Sequence, residues 1–180
     1  MTPLFLGDSH MQVLGPLLKR AFPGSTYYAK PGWSVKKWAA SPPDWGDADT
    51  AVIVLGGNDR ERDPKKYEAD VQRLLKGAPK NVIWIGPSYG KGDTGAWHAR
   101  TRDLQRALFS KMGVRWIDSY PWTRENHRSD GVHFTNAGYR TWAEGLAAEI
   151  KAQRQLSYWW LLPLSGGVAL ALALRARRGK

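Results

Sequence analysis

Short apolar runs regularly hand over to amphipathic stretches, and this alternation constrains the fold more than any other feature of the chain. Pro3–Leu6 reads as a first strand, and residues 10–21 then place Met11, Leu14, Leu17 and Leu18 at helical spacing. Ser25–Ala29 reads as a second strand. Ala51–Leu55 (AVIVL) is an uninterrupted apolar run, the pattern of a strand covered on both faces. Helical spacing returns over 64–76, with Val71, Leu74 and Leu75 inward, and Asn81–Ile85 is a fourth strand. A helix over roughly 96–111 leads to a fifth strand at Val114–Ile117, and Thr135–Ala152 is a long amphipathic helix. Strands separated by helices imply parallel pairing with helices on both faces. The expected fold is α/β: a three-layer α/β/α sandwich on a flavodoxin-like parallel five-stranded sheet of order 2-1-3-4-5, followed by an apolar C-terminal tail.

Composition narrows the chemistry. The chain of 180 residues has no cysteine, which excludes a disulfide framework, thiolate metal sites and a cysteine nucleophile. Its net charge of +11 is uneven. Residues 1–150 hold 21 Lys and Arg against 16 acids, a net +5, whereas the last 30 residues hold six bases and no acid. A charge of +5 is too modest to carry nucleic-acid binding, and none is expected. Residues 155–174 contain no charged side chain and precede RARRGK. Twenty such residues can cross a bilayer's hydrocarbon core, with Tyr158, Trp159 and Trp160 at one interface. The expected organisation is a catalytic domain over 1–154 and a candidate membrane segment over 155–180. A helix packed back on the domain, or a disordered end, is the alternative. Only eight residues precede Ser9, which leaves no room for a signal peptide, so the expected location is cytoplasmic or membrane-associated through the tail.

Four polar clusters fall at strand ends or before the last helix. Ser9 follows strand one in Gly7-Asp8-Ser9, and Asn58 follows strand three in Gly56-Gly57-Asn58-Asp59. A 2-1-3-4-5 order makes those strands neighbours at the switch point, where open α/β sheets bind ligands. Ser9 at a strand-to-helix turn is placed to be a nucleophile. His133 is the best base, with Asp130 three residues earlier to fix its tautomer. The amides of Ser9 and Gly32 and the side-chain amide of Asn58 are the plausible oxyanion donors. Each cluster alone has an ordinary explanation as a helix cap or turn. Together, in this order, they point to acyl transfer.

These residues also resemble the SGNH hydrolases, the GDSL esterase/lipase superfamily, across nearly all of residues 4–150. Phe5-Leu6-Gly7-Asp8-Ser9 looks like the first block of that family, Gly32 like the glycine of the second, Gly56-Gly57-Asn58-Asp59 like the third, and Asp130-Gly131-Val132-His133 like the fifth. The departure is His10, where many members carry an apolar residue. The resemblance implies ester or thioester hydrolysis with no metal and no cofactor. It leaves the substrate open among glycan deacetylation, lysophospholipase, thioesterase and arylesterase activities.

The ten tryptophans bear on substrate. Trp33, Trp38, Trp45, Trp97 and Trp122 fall in expected loops or loop edges, either as aromatic faces around a cleft or as core. Residues 88–98 (SYGKGDTGAWH) read as a glycine-rich loop, a lid with Trp97 and His98 touching substrate or a plain connection. Arg60, Arg62, Lys65 and Lys66 either draw in an anionic substrate or form a solvated face. The expected function is a serine esterase that removes small acyl groups, such as acetyl, from a glycan or small-molecule ester. A lysophospholipase or acyl-thioesterase working at a membrane is the first alternative, and an inactive glycan-binding module the second. A nucleotide or flavin binder of the same topology would need a phosphate-cradling loop that this chain lacks.

Overall fold

In the computed structural model, residues 2–61 and 63–159 are described, with side chains as far as Ala152 in the last helix. The strands are β1 (Pro3–Gly7), β2 (Thr26–Ala29), β3 (Thr50–Val54), β4 (Asn81–Ile85) and β5 (Arg115–Ile117). The helices are α1 (Ser9–Ala21), α2 (Val35–Ala40), α3 (Pro64–Leu74), α4 (Gly92–Met112), α5 (Tyr120–Thr123) and α6 (Asn136–Trp159). All pairings are parallel in the order β2-β1-β3-β4-β5. The α/β architecture and the strand order therefore agree with the reading of the sequence.

The apolar runs explain the layers. Every residue of β1 and β3 is buried, as expected for central strands covered on both faces. Leu4, Leu6, Ala51, Ile53 and Trp84 pack with Val35 and Trp38 of α2, Tyr67, Val71 and Leu74 of α3, and Leu108 and Phe109 of α4. Side chains alternate across a strand, so Phe5 faces the other way and meets Phe22, just beyond α1, at 5.7 Å between ring centroids. On that side His10 of α1 meets Trp142 of α6, edge to face, at 5.2 Å. Trp38 and Trp45 belong to the buried core, whereas Trp33 and Trp97 are half-buried.

The main departure concerns residues 88–98. The helix after β4 begins at Gly92, so Trp97 and His98 sit on α4 rather than on a loop. A Cβ at Gly95 would lie 2.3 Å from the Gly90 carbonyl oxygen, so this glycine serves close approach and not mobility. The six-residue α2 and four-residue α5 are too short for periodicity to reveal.

By compactness the chain divides within α6, into a unit over Met1–Gly145 and a second from Leu146 onward. Of the second, the continuation of α6 to Trp159 is described, and Leu146 and Ile150 are fully buried. Most of the apolar tail expected over 155–174 lies outside the described residues. Among the described residues no helix is long and apolar enough to cross a membrane.

Candidate active site

The site is built from three strand ends and one turn. At the end of β1, Asp8 caps α1 by accepting the His10 amide at 3.0 Å. Ser9 thus opens the helix, where the first amides have no partner within the helix and the dipole favours negative charge. Gly7 pairs with Val54 of the adjacent β3, which brings the two strand ends together. After β3 the chain turns through Gly56 at φ +139°, and a Cβ there would lie 2.8 Å from Gln105 Nε2. The turn delivers Asn58, whose Nδ2 donates to Asp8 Oδ2 at 2.8 Å and to the Trp33 carbonyl at 3.4 Å. Trp33 follows Gly32 beyond β2, and Gly32 is exposed with φ +69°. Ser9, Asn58 and the Gly32-Trp33 turn therefore meet at the carboxyl edge of the sheet.

The fourth component is the turn before α6. It is tied across itself by the Arg128 amide to the His133 carbonyl (2.7 Å) and the Thr135 amide to the Asn126 carbonyl (2.8 Å). Within it Asp130 Oδ1 accepts the Val132 and His133 amides, each at 2.9 Å, and Asp130 Oδ2 lies 2.8 Å from His133 Nδ1. The Val132 amide, and then the His133 ring and amide, hold the Asp130 carboxyl well below the usual carboxylate range. An ionised carboxylate only accepts, so His133 carries its proton on Nδ1 and Nε2 is left as an acceptor. Ser9 Oγ lies 3.0 Å from Nε2, 124 positions away in sequence, and so donates to it. The His133 and Asp130 side chains are 35% and 47% exposed, so this hydrogen-bonded run lies open at the surface.

Three buried acids and bases surround it. Burial pushes the Asp8 carboxyl up to about 6 against the His10 amide and Asn58, which favour its charge. Burial pushes Asp59 up to about 7, only partly offset by the Val35 amide at 2.8 Å, and Asp59 Oδ2 is buried without a hydrogen-bond partner among the described residues. Burial also drives His10 down to about 3, so its imidazole is neutral. A carboxyl raised on folding binds its proton more tightly in the native state, so its stabilising effect is present below pH 4 and is lost as pH rises through the folded value. Asp59 should therefore make the protein less stable as pH climbs from about 4 to about 7. Asp59→Asn keeps an acceptor for Val35 and removes the titration. Thermal melts from pH 4.5 to 8.5 should show a flatter fall in Tm for the variant than for the parent. Parallel curves would refute the assignment.

The remaining expected residues are placed as follows. Trp97 is half-buried beneath the Arg60 guanidinium, 4.2 Å from its ring centroid, and lines a cleft of about 180 Å³ with Asp59, Arg100 and Leu104 among its walls. His98 is 1% exposed, and its Nδ1 donates to the Ser88 carbonyl at 2.7 Å. It lies behind the Asn58 turn, against Gly57, and not in an open cleft. Arg62 lies outside the described residues. Asp8, Ser88 and Tyr139 were not singled out from the sequence. Asp8 carried a signal nonetheless, since an Asp before a helical pattern is a capping residue. Among the described residues no group of three or more His, Asp or Glu has the arrangement of a metal site.

A parallel 2-1-3-4-5 sheet, with a serine–histidine–carboxylate run at its carboxyl edge and an asparagine on the neighbouring strand end, defines an SGNH-type hydrolase. The chain belongs to the GDSL-like Lipase/Acylhydrolase family, whose sequence profile matches residues 5–141, and it is an ester hydrolase. No curated protein matches it in sequence. Among solved structures it is similar in fold to the C-terminal catalytic domain of peptidoglycan O-acetyltransferase A from Streptococcus pneumoniae (22% identity, TM-score 0.66, 86% of this chain and 94% of that one). It is also similar to the aryl esterase of M. smegmatis (15%, 0.65, 84% and 99%). A third is an acetylxylan esterase from Geobacillus stearothermophilus (18%, 0.62, 83% and 93%).

Proposed function

We propose that Ser9, His133 and Asp130 form the catalytic triad of a serine esterase that removes acetyl or similarly small acyl groups from a glycan. Ser9 Oγ attacks the ester carbonyl carbon while His133 Nε2 takes its proton, and Asp130 supports the resulting imidazolium. The oxyanion accepts from the Ser9 and Gly32 amides and from Asn58 Nδ2. On collapse His133 returns the proton to the departing alcohol. A water activated by the same histidine then releases the acid and restores Ser9. The observation that carries this reading is the continuous run from Ser9 to His133 to Asp130, at 3.0 and 2.8 Å.

The glycan preference has three supports. The exposure of His133 and Asp130 leaves the reacting ester reachable on a bulky polymer, whereas a long acyl chain gains most from a deep apolar channel. The Trp33 backbone receives Asn58, and its half-buried indole packs edge to face on Trp38 with the Lys30 ammonium over its ring, an aromatic and cationic side-chain pair on the same turn that could meet a sugar. Two of the similar folds, moreover, carry names that refer to acetyl groups on polysaccharides.

Hydrolysis of p-nitrophenyl esters from acetyl to palmitoyl by the full chain tests the reading. We expect kcat/KM to be highest for acetyl and to fall about tenfold or more toward palmitoyl. A preference for long chains would instead identify a lipid or thioester substrate. Absence of turnover on every ester would leave glycan binding without catalysis.

A further inference from the structure

Behind the reacting groups runs a second set of hydrogen bonds that the acyl-transfer steps do not use. His98 donates from Nδ1 to the Ser88 carbonyl at 2.7 Å, and its Nε2 edge lies against Gly57, so close that a Cβ at position 57 would approach it to 3.2 Å. Ser88 Oγ lies 3.3 Å from His10 Nε2, and His10 Nδ1 lies 3.1 Å from the Tyr139 hydroxyl. The Tyr139 oxygen is in turn hydrogen-bonded by the backbone of Phe134, the residue after His133. His98, Ser88, His10 and Tyr139 are each no more than 4% exposed. The run therefore begins one residue before Asn58 and ends one residue after His133.

Four buried polar side chains in one region are costly unless they satisfy one another, and here each ring nitrogen of His10 faces a hydroxyl. An apolar residue at position 10 would fill the same space without that cost, so the burial of an imidazole calls for a reason. The His10 ring also stands 5.4 Å from the His133 ring, centroid to centroid, and 5.8 Å from Phe134. It thus touches the base from beneath while being tied, through Ser88 and His98, to the turn that carries Asn58.

We propose that His98, Ser88, His10 and Tyr139 form a buried brace that fixes the distance between the Asn58 turn and His133. His10 and His98 act as positioning residues that set the transition-state geometry without touching substrate. Misplacing a general base or an oxyanion donor costs rate far more than it costs binding, because the affected contacts mature only in the transition state. The proposal rests on the esterase reading for its kinetic consequence but not for its structural one.

Ser88→Ala tests it, because it removes the hydroxyl between the two histidines while leaving the carbonyl that receives His98. On p-nitrophenyl acetate we expect kcat to fall about tenfold with KM within about twofold. The Asn58 side-chain amide and His133 ring signals in ¹⁵N NMR spectra should move together. His10→Phe should give a similar loss, and the double variant should lose little more than either single one, since both cut the same run. Unmoved Asn58 and His133 signals, with kcat within about twofold of the parent, would overturn the brace even in an active enzyme. If the parent shows no hydrolysis while Ser88→Ala still shifts both signals, the brace stands and the esterase reading fails.

Discussion

Ser9→Ala is expected to lower kcat for ester hydrolysis by about four to six orders of magnitude, and His133→Ala by a comparable factor. The two losses should not add, since the proposed nucleophile and base would act as one unit. Combined replacement should leave the same residual rate as either alone. The structure separates this effect from misfolding. The cap of α1 is the Asp8 carboxylate, not the Ser9 hydroxyl, so removing Oγ costs the helix no capping bond. Thermal melts of the parent and Ser9→Ala should therefore lie within a few degrees of each other. Steady-state hydrolysis of a p-nitrophenyl ester, read beside those melts, decides the matter. A Ser9→Ala enzyme that keeps a tenth of parental kcat would remove the serine mechanism.

Asn58→Ala should lower kcat by about a hundredfold to a thousandfold with little change in KM, the signature of a donor needed only in the transition state. In the free enzyme both Nδ2 hydrogens already have acceptors, Asp8 at 2.8 Å and the Trp33 carbonyl at 3.4 Å. The longer bond is the weaker, so that hydrogen is the one available to a developing oxyanion while Asp8 holds the amide in place. Truncation has a second effect. Asn58 is one of the groups that favour the charged form of buried Asp8, so its loss should raise the Asp8 carboxyl further above 6. The variant should consequently lose more Tm than the parent as pH rises past 6. Kinetics at saturating and limiting ester, with melts at pH 5 and pH 8, measure both effects. A rise in KM at constant kcat would place Asn58 in ground-state binding instead.

Much of this arrangement was legible because strand ends are written into the chain. The AVIVL run marked β3 as central, so whatever followed it had to emerge at the carboxyl edge beside whatever followed β1. Ser9 and Asn58 could thus be brought together without coordinates, and the Asp130–His133 spacing suggested a carboxylate and imidazole sharing one turn. The glycines of residues 90–95 misled for a physical reason. Helix propensity penalises glycine, yet Gly95 is required where α4 packs against the Gly90 carbonyl. The loop reading made His98 either a lid residue or part of a plain connection, whereas it sits on α4 with its ring buried behind the Asn58 turn. The links from His10 to Ser88 and Tyr139 span 78 and 129 positions, and no periodicity encodes contacts of that kind. His10 stood out in the sequence only as a histidine where many members of the resembled family carry an apolar residue.

The turn between Asn126 and Thr135 gives the proposed triad a distinct division of parts. Asp130 accepts three hydrogen bonds confined to four consecutive residues, one from Val132 and two from His133, and the backbone pairs from Arg128 to His133 and from Thr135 to Asn126 close the segment on itself. Asp130 and His133 therefore form a cassette whose mutual bonds lie within its own turn. Displacing the cassette as a body would leave the carboxylate–imidazole pair assembled while changing the separation from His133 Nε2 to Ser9 Oγ, together with the turn's bonds to Tyr89 and Lys91. Under the proposed mechanism, proton transfer depends on the Nε2-to-Oγ separation, whereas the tautomer of His133 is set within its own turn by Asp130.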